Sequence, residues 1–378
     1  MIDHEGFVTL FKRLQKATLQ EREKKFAQIF FNEHTPNQVK LKLNKNIKFS
    51  KNAPMVTESP ILIDLSLNNY CNLKCPYCYM SANSANKGEH LSTNNFNMLL
   101  RQMIESRVLQ VALGGGEPTF HPNFTEILEK IRKVGDIVPN YTTNGTNLTP
   151  DILTASKKYC GAVAVSYSEK REQETLEAVK RLINSGIQTN LHIVMLKSRV
   201  PNLSIITEKY ARLGIHSVVL LLFKPMGRGA KLKSEIITLR QKKDLTRELI
   251  RILTLQKKYG VRLALDACSA FCVRDFPFLA ESIDGCTGAT YSAYIDWEAK
   301  IKPCSFMQLK MGVDLKNSTI KDAWHSQLFI NFRNTLLNPR YEGCEDCSFF
   351  PSCWGGCPIE PNLVYCIERG NEKTIKNQ

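Results

Sequence analysis

Six short apolar runs, each followed by an amphipathic stretch, dominate residues 60–230 and restrict the fold more than any other feature of the chain. The runs are ILIDLSL (61–67), LQVALGG (109–115), GDIVPNYTT (135–143), GAVAVSYS (161–168), TNLHIVML (189–196) and HSVVLLLF (216–223). They are rich in β-branched residues and short enough for strands. Helical stretches separate them, among them 93–107, 123–134, 172–185 and 203–213. Such an alternation calls for a parallel sheet covered by helices. The expected fold is α/β, a partial (β/α)6 barrel of the TIM type, whose ligands gather at the carboxyl ends of the strands. A long helix over 238–259 and a further strand, VRLALD (261–266), close this region.

The rhythm stops after Asp266, and nine of the thirteen cysteines lie beyond it, amid Gly, Pro and aromatic residues. One helix is expected there, near 318–337. Such a tail has too little apolar periodicity for a large core of its own, so metal must help to fold it. At 378 residues the chain exceeds the usual single core. Three segments are expected: a helical and irregular extension over 1–57, the barrel over 58–266 and a small cysteine-rich domain over 267–378. In the first, Phe7, Leu10, Phe11 and Leu14 recur at helical spacing.

No apolar run approaches the roughly 18 residues that cross a bilayer, and the first twenty residues lack the apolar centre of a signal peptide. A cytoplasmic location is expected. In that reducing setting, thirteen cysteines point to metal binding or catalysis rather than to disulfides. The net charge of +15 raises nucleic acid as a partner, but the charges are scattered and no interleaved aromatic motif accompanies them. A basic surface equally suits capture of an acidic peptide.

YCNLKCPYCYMS (70–81) places Cys71, Cys75 and Cys78 on one loop directly after the first strand. Zinc would need a fourth ligand from elsewhere, and C-x3-C-x2-C is not the paired C-x2-C of common structural zinc sites. Three close thiolates can instead hold three irons of a cubane and leave the fourth open to a small molecule. Other strand ends carry LGGGEPTFHP (113–122), TTNGT (142–146), VSYS (165–168) and KPMGRG (224–229). Cys160, at a helix end, reads as a buried thiol. In the tail, CEDCSFFPSCWGGC sets Cys344, Cys347, Cys353 and Cys357 as C-x2-C-x5-C-x3-C, with Cys366 after them and Cys286 and Cys304 before.

CNLKCPYC resembles the C-x3-C-x-aromatic-C signature of the radical S-adenosylmethionine (SAM) enzymes, with Tyr77 as the aromatic residue. The resemblance implies a 4Fe–4S cluster on Cys71, Cys75 and Cys78 whose open iron is chelated by SAM. It implies that Gly115, Gly116 and Glu117 correspond to a GGE motif at the SAM amino group, and that Asn144 and Ser166 lie in the SAM pocket. Arg228 is a candidate partner of the SAM carboxylate, a surface arginine being the other reading. The tail resembles the SPASM domain, which implies two auxiliary 4Fe–4S clusters and three clusters in all. Cys344, Cys347, Cys353 and Cys366 would hold one; Cys286, Cys304 and Cys357 would hold the other. Its fourth ligand stays open between Cys268, Cys272 and the substrate. The family pattern has Gly five positions before the second SPASM cysteine, where this chain has Ala299.

The family's shared chemistry is one-electron cleavage of SAM to a 5′-deoxyadenosyl radical that takes hydrogen from a substrate. The expected function is oxidative cross-linking, thioether or carbon–carbon, of a ribosomally made peptide. The expected partners are that peptide, an electron donor such as flavodoxin or ferredoxin, and a separate leader-binding protein. Alternatives are a sulfatase maturase, a small-molecule or RNA-modifying radical SAM enzyme, and a zinc-dependent binding module. Against the sulfatase maturase, KPCSF has Ser305 where that group places an Asp base.

Overall fold

The computed structural model describes residues 56–135, 137–269, 285–307, 311–339, 343–347, 349–360 and 363. The expected N-terminal helix around Phe7–Leu14, and two candidate ligands, Cys272 and Cys366, lie outside them. In chain order the elements are β1 (Leu62–Asn68), α1 (Thr93–Glu105), β2 (Gln110–Gly115), α2 (Phe124–Lys133), β3 (Val138–Thr143), α3 (Pro150–Tyr159), β4 (Val163–Ser166), α4 (Glu172–Asn184), β5 (Thr189–Met195), α5 (Leu203–Ala211), β6 (Ser217–Leu222), α6 (Leu239–Tyr259) and β7 (Arg262–Leu265). The tail adds β8 (Ser292–Ile295), β9 (Lys300–Lys302), β10 (Val313–Asp314), α7 (Ile320–Trp324), α8 (Gln327–Leu337) and α9 (Phe350–Cys353). All six expected strands form, and β1 to β7 pair in sequence order, each parallel to the next.

Alternate residues of β1 serve different surfaces. Ile63, Leu65 and Leu67 are fully buried in the core cluster, among helix residues such as Phe96, Leu99 and Met103. Asp64, Ser66 and Asn68 fall on the opposite face, toward the sheet's concave side. Helix ends carry sequence signals: Thr149 caps α3 through the Ile152 amide ahead of Pro150, and Gly260, at φ +72°, ends α6.

The tail joins the barrel's sheet: β8 pairs in parallel with β1, setting Tyr294 beside Asp64, and β9 and β10 extend the sheet antiparallel. All four residues of β8 are buried, but four residues among cysteines give too short a run to read as a strand. The helix expected near 318–337 is two helices broken at His325 and Ser326, with Ser326 opening the second. The joint is fastened from both sides. The Gln102 side chain of α1 donates to Leu315 O and Ser318 O at 3.1 and 3.2 Å and accepts from the Ile320 amide at 3.1 Å. Buried Trp324 donates its indole N–H to Thr57 O at 2.8 Å.

Ala299 is fully buried in the β8–β9 turn at φ +67°, the left-handed region that favours glycine. That conformation accounts for the glycine of the family pattern, and alanine occupies it at a cost of about 1–2 kcal/mol. A β-branched side chain there would add strain and crowding. Ala299→Val is expected to lower stability by about 2 kcal/mol or more, and Ala299→Gly to stay within about 1 kcal/mol of the parent, both read by denaturant unfolding.

Candidate active site

The cysteine loop sits against the end of β2 at backbone distance. Gly116 N donates to Asn68 O, and Glu117 N to Tyr70 O, each at 2.8 Å. A Cβ on Gly116 would stand 2.0 Å from Tyr70 O, and one on Gly115, at φ +115°, 2.3 Å from Asn68 O. Both glycines are therefore required where the second strand meets the cysteine loop.

That contact places Glu117 beneath the loop, 1% exposed. Its Oε1 accepts from the Thr119 hydroxyl at 2.8 Å and the Thr143 hydroxyl at 2.7 Å, and its Oε2 from the Asn144 amide at 2.6 Å. Burial pushes its carboxyl pKa up against the pull of these donors. Asn144 in turn reaches the cysteine loop, its Nδ2 lying 3.0 Å from Asn72 Oδ1 and 3.7 Å from Cys71 Sγ. Glu117 thus organises the end of β3, and the side chain it delivers to the thiols is Asn144.

Arg228 does the same work from the other side. Its Nε donates to Cys75 O at 2.8 Å, its Nη1 to Ala82 O at 2.7 Å, and its backbone N–H to Cys78 O at 3.0 Å. Gly227 precedes it at φ +56°, with space for a Cβ only 2.2 Å from Tyr79 O. The guanidinium is directed at the loop's own carbonyls. Tyr77 donates to Tyr167 O at 3.3 Å, and the buried Arg199 guanidinium lies 5.3 Å from its ring and 5.2 Å from that of Tyr167.

A cleft opens beside the loop, lined in part by Cys75, Tyr77, Asn144, Ser166, Arg171 and Glu174. Four of these are residues that the sequence singled out. Arg171 was missed, because SEKREQ reads as the charged start of a helix. It pairs with Glu174 at 3.3 Å and, after the stronger effects of burial, Cys78 and Arg228, adds a weak pull toward the Cys75 thiolate.

Burial and crowding hinder the ionisation of Cys71 and Cys75. Burial raises the Cys71 pKa to about 11, and Glu117, Cys75 and Cys78 add to it, against the Leu73 amide, which donates to Sγ at 3.4 Å. Anionic ligands crowded like this fit a cationic iron cluster, which relieves their repulsion. Among the described residues, no three His, Cys, Asp or Glu side chains converge where a single ion would sit. A zinc site needs that convergence; the thiolates of a four-iron cube each bind a separate iron.

A second set forms where the tail meets the barrel. Cys268 and Cys357 share a thiol–thiol hydrogen bond; that bond and burial hold the Cys268 proton on, while Cys357 ionises the more readily. Burial raises Cys286, and then Cys268 and Cys304 raise it further. Cys304 is pushed up to about 11 by burial, against the opposing pull of Lys224. The Phe306 and Glu360 amides donate to Cys304 Sγ and Cys357 Sγ, each at 3.4 Å. The structure therefore brings Cys268 to Cys286, Cys304 and Cys357. Cys344, Cys347 and Cys353 follow on successive turns, the Cys347 amide donating to Cys344 O at 3.3 Å. Cys160 is separate, a thiol held protonated by burial.

Two rings join the sets. Tyr79, next to Cys78, packs on Phe306, two residues past Cys304, with centroids 4.5 Å apart, and the Tyr79 hydroxyl is hydrogen-bonded to Ser305.

Both regions of the chain match known protein families. A family model described as the Radical SAM superfamily matches residues 65–199, and one described as the SPASM iron–sulfur cluster-binding domain matches 286–348. The mycofactocin maturase MftC of Mycolicibacterium smegmatis is 25% identical over 324 residues, spanning 79% of this chain and 78% of that protein. The PqqA peptide cyclase of Gluconobacter oxydans is 25% identical over 318 residues, spanning 79% and 85%. The crystal structure of Streptococcus suis SuiB bound to its precursor peptide SuiA superposes with a TM-score of 0.67 at 18% identity, covering 82% of this chain and 75% of that one. The chain belongs to the radical SAM enzymes that carry a SPASM iron–sulfur domain.

Proposed function

We propose that this chain is a peptide-modifying oxidoreductase that removes hydrogen from a ribosomally made precursor peptide and leaves it oxidatively cross-linked. The observation that carries the reading is the contact between the segments of the two cysteine sets, through Tyr79 and Phe306. A substrate held there lies beside one centre that starts a radical and another that accepts an electron. The peptide as substrate class is supported by relatives whose names or titles specify peptide substrates, the PqqA peptide cyclase and SuiB with SuiA. The sulfatase-maturase alternative is not favoured, because Ser305 replaces the acidic base and its hydroxyl is engaged by Tyr79.

In this reading Cys71, Cys75 and Cys78 hold the SAM-chelating cluster. Tyr77, Asn144 and Ser166 line the cleft for SAM, and Arg171 supplies the cation for its carboxylate. Gly115, Gly116 and Glu117 hold the cleft's wall in place. Cys268 completes a ligand set with Cys286, Cys304 and Cys357, and Cys344, Cys347, Cys353 and Cys366 form the third. Bound to these residues, SAM and the clusters would supply one-electron cleavage of SAM and removal of an electron from the substrate. The chain's own residues orient the loop, through Arg228 and Glu117. Electrons would come from a flavodoxin or ferredoxin, and a separate protein would present the peptide's leader. The barrel and tail meet near residue 266, although one sheet runs through both.

Replacing Cys71, Cys75 and Cys78 together by Ala is expected to abolish formation of 5′-deoxyadenosine and to remove about four of roughly twelve irons. With the parent enzyme, mass spectrometry should find the peptide about 2 Da lighter, one hydrogen lost as an atom and one as a proton. An unchanged peptide mass would exclude net oxidation, and retained SAM cleavage in the triple variant would overturn the site.

Glu117→Ala leaves the Thr119 and Thr143 hydroxyls and the Asn144 amide without their acceptor, at about 1–3 kcal/mol for each buried group. The expected outcome is SAM affinity reduced about tenfold or more, ~1.4 kcal/mol, with iron content retained. Equilibrium dialysis against SAM and an iron assay read the two separately.

A further inference from the structure

Lys224 ends the sixth strand's run, where a surface lysine would be unremarkable, yet its side chain is 3% exposed. Its Nζ lies 3.8 Å from the centroid of the Phe306 ring and 4.0 Å from Asp266 Oδ2. Both neighbours lead directly to cysteines of the second set. Phe306 donates its amide to Cys304 Sγ, and Asp266 opens the turn that carries Cys268, its O accepting from the Ser269 amide at 2.8 Å. Asp266 is itself fixed to the barrel, since its Oδ2 accepts from the Leu222 amide at 3.1 Å. The ammonium is therefore enclosed between the barrel, the Cys268 turn and the Cys304 turn.

Burying an ammonium costs several kcal/mol unless opposite charge surrounds it. A single carboxylate at 4.0 Å is a poor match for that cost. The other groups that enclose it are the turns carrying Cys268 and Cys304, whose thiols would be thiolates once they ligate iron. Four thiolates on a four-iron cube leave a net negative charge, and reduction by one electron increases it. A fixed cation stabilises the more negative form more strongly, and net charge near a cluster is one of the factors that sets its potential.

We infer that Lys224 is a positioning residue for electron transfer, a fixed positive charge that raises the reduction potential of an auxiliary cluster on Cys268, Cys286, Cys304 and Cys357. It rests on the reading of those four cysteines as ligands. The role differs from that of Arg228, four residues on in the same segment, which grips the first cysteine loop by its carbonyls. One strand end thus addresses both cysteine sets, the first through backbone geometry and the second through charge.

The test is a redox titration of the reconstituted full chain with dithionite, followed by electron paramagnetic resonance, in the parent, Lys224→Met, Lys224→Arg and Asp266→Asn. Lys224→Met should shift the midpoint of this auxiliary cluster to a more negative potential. Lys224→Arg should restore it, and Asp266→Asn should shift it the other way. The SAM-binding cluster, whose loop Lys224 does not adjoin through a ligand's own turn, should move less. An unmoved auxiliary midpoint in Lys224→Met with full iron content overturns the inference. Should Lys224→Met lose the cluster, Asp266→Asn decides, and a zero or negative shift there overturns it. Full iron content in a Cys286→Ala, Cys304→Ala double variant would instead sink the ligand assignment beneath it.

Discussion

Glu117 accepts hydrogen bonds from Thr119, Thr143 and the Asn144 amide while almost wholly buried, so one carboxylate fixes where the second and third strands end. Hydrogen bonds to a charged acceptor are worth about 1.5–3 kcal/mol each, and a buried donor without one is expensive. The arrangement is consequently stiff. It is tied to the cysteine loop by the Glu117 amide on Tyr70 O and by Asn144 near Cys71. A thiol loop of this kind has little packing of its own: Cys71, Cys75 and Cys78 are all only partly buried. Its shape is imposed from below by Glu117 and from the side by Arg228, chiefly through backbone carbonyls. Recognition of carbonyls tolerates different side chains in the loop while holding its path.

The barrel was legible because its strands repeat one pattern, a short β-branched run and then an amphipathic helix, and burial on both faces enforces it. The cysteine loop and the GGE glycines were legible as spacing. What they do was only partly so: Gly115 and Gly116 are demanded by approach to Asn68 O and Tyr70 O, a contact between segments far apart in sequence. The role of Arg228 depends on where the carbonyls of residues 75, 78 and 82 point, which no local pattern records. Lys224 read as one charge among many, since only the tail folding over it makes it buried. The strand β8 was hidden by its length, and the break at Ser326 lies inside a run whose apolar spacing continues across it. Cys268 stood beside Cys272 as an equal candidate; Cys268 lies next to Cys357, and Cys272 is outside the described residues.

The junction of barrel and tail shows how an auxiliary site can be added without building a second core. The sheet supplies β1 as a template for β8, Gln102 receives the tail's backbone, and Trp324 fills the space between them. The strand edge provides hydrogen-bond partners already in register, and apolar side chains of the tail such as Ile295, Trp324, Phe329 and Leu336 join the barrel's own core cluster. The cysteines then occupy turns that the sheet has positioned.

The pairing of β8 with β1 also bears on the order in which the protein can be made. Thr57 reaches Thr290 across 233 positions, and β1 has β2 on one edge and β8 on the other. During synthesis the second edge of β1 stays open until residues near 295 have left the ribosome, so the strand that leads into the first thiol loop is among the last to be completed. Contacts of such long range form slowly, and an open edge invites wrong pairings in the meantime. Docking of the tail is therefore one closing event that finishes the walls of both sites together.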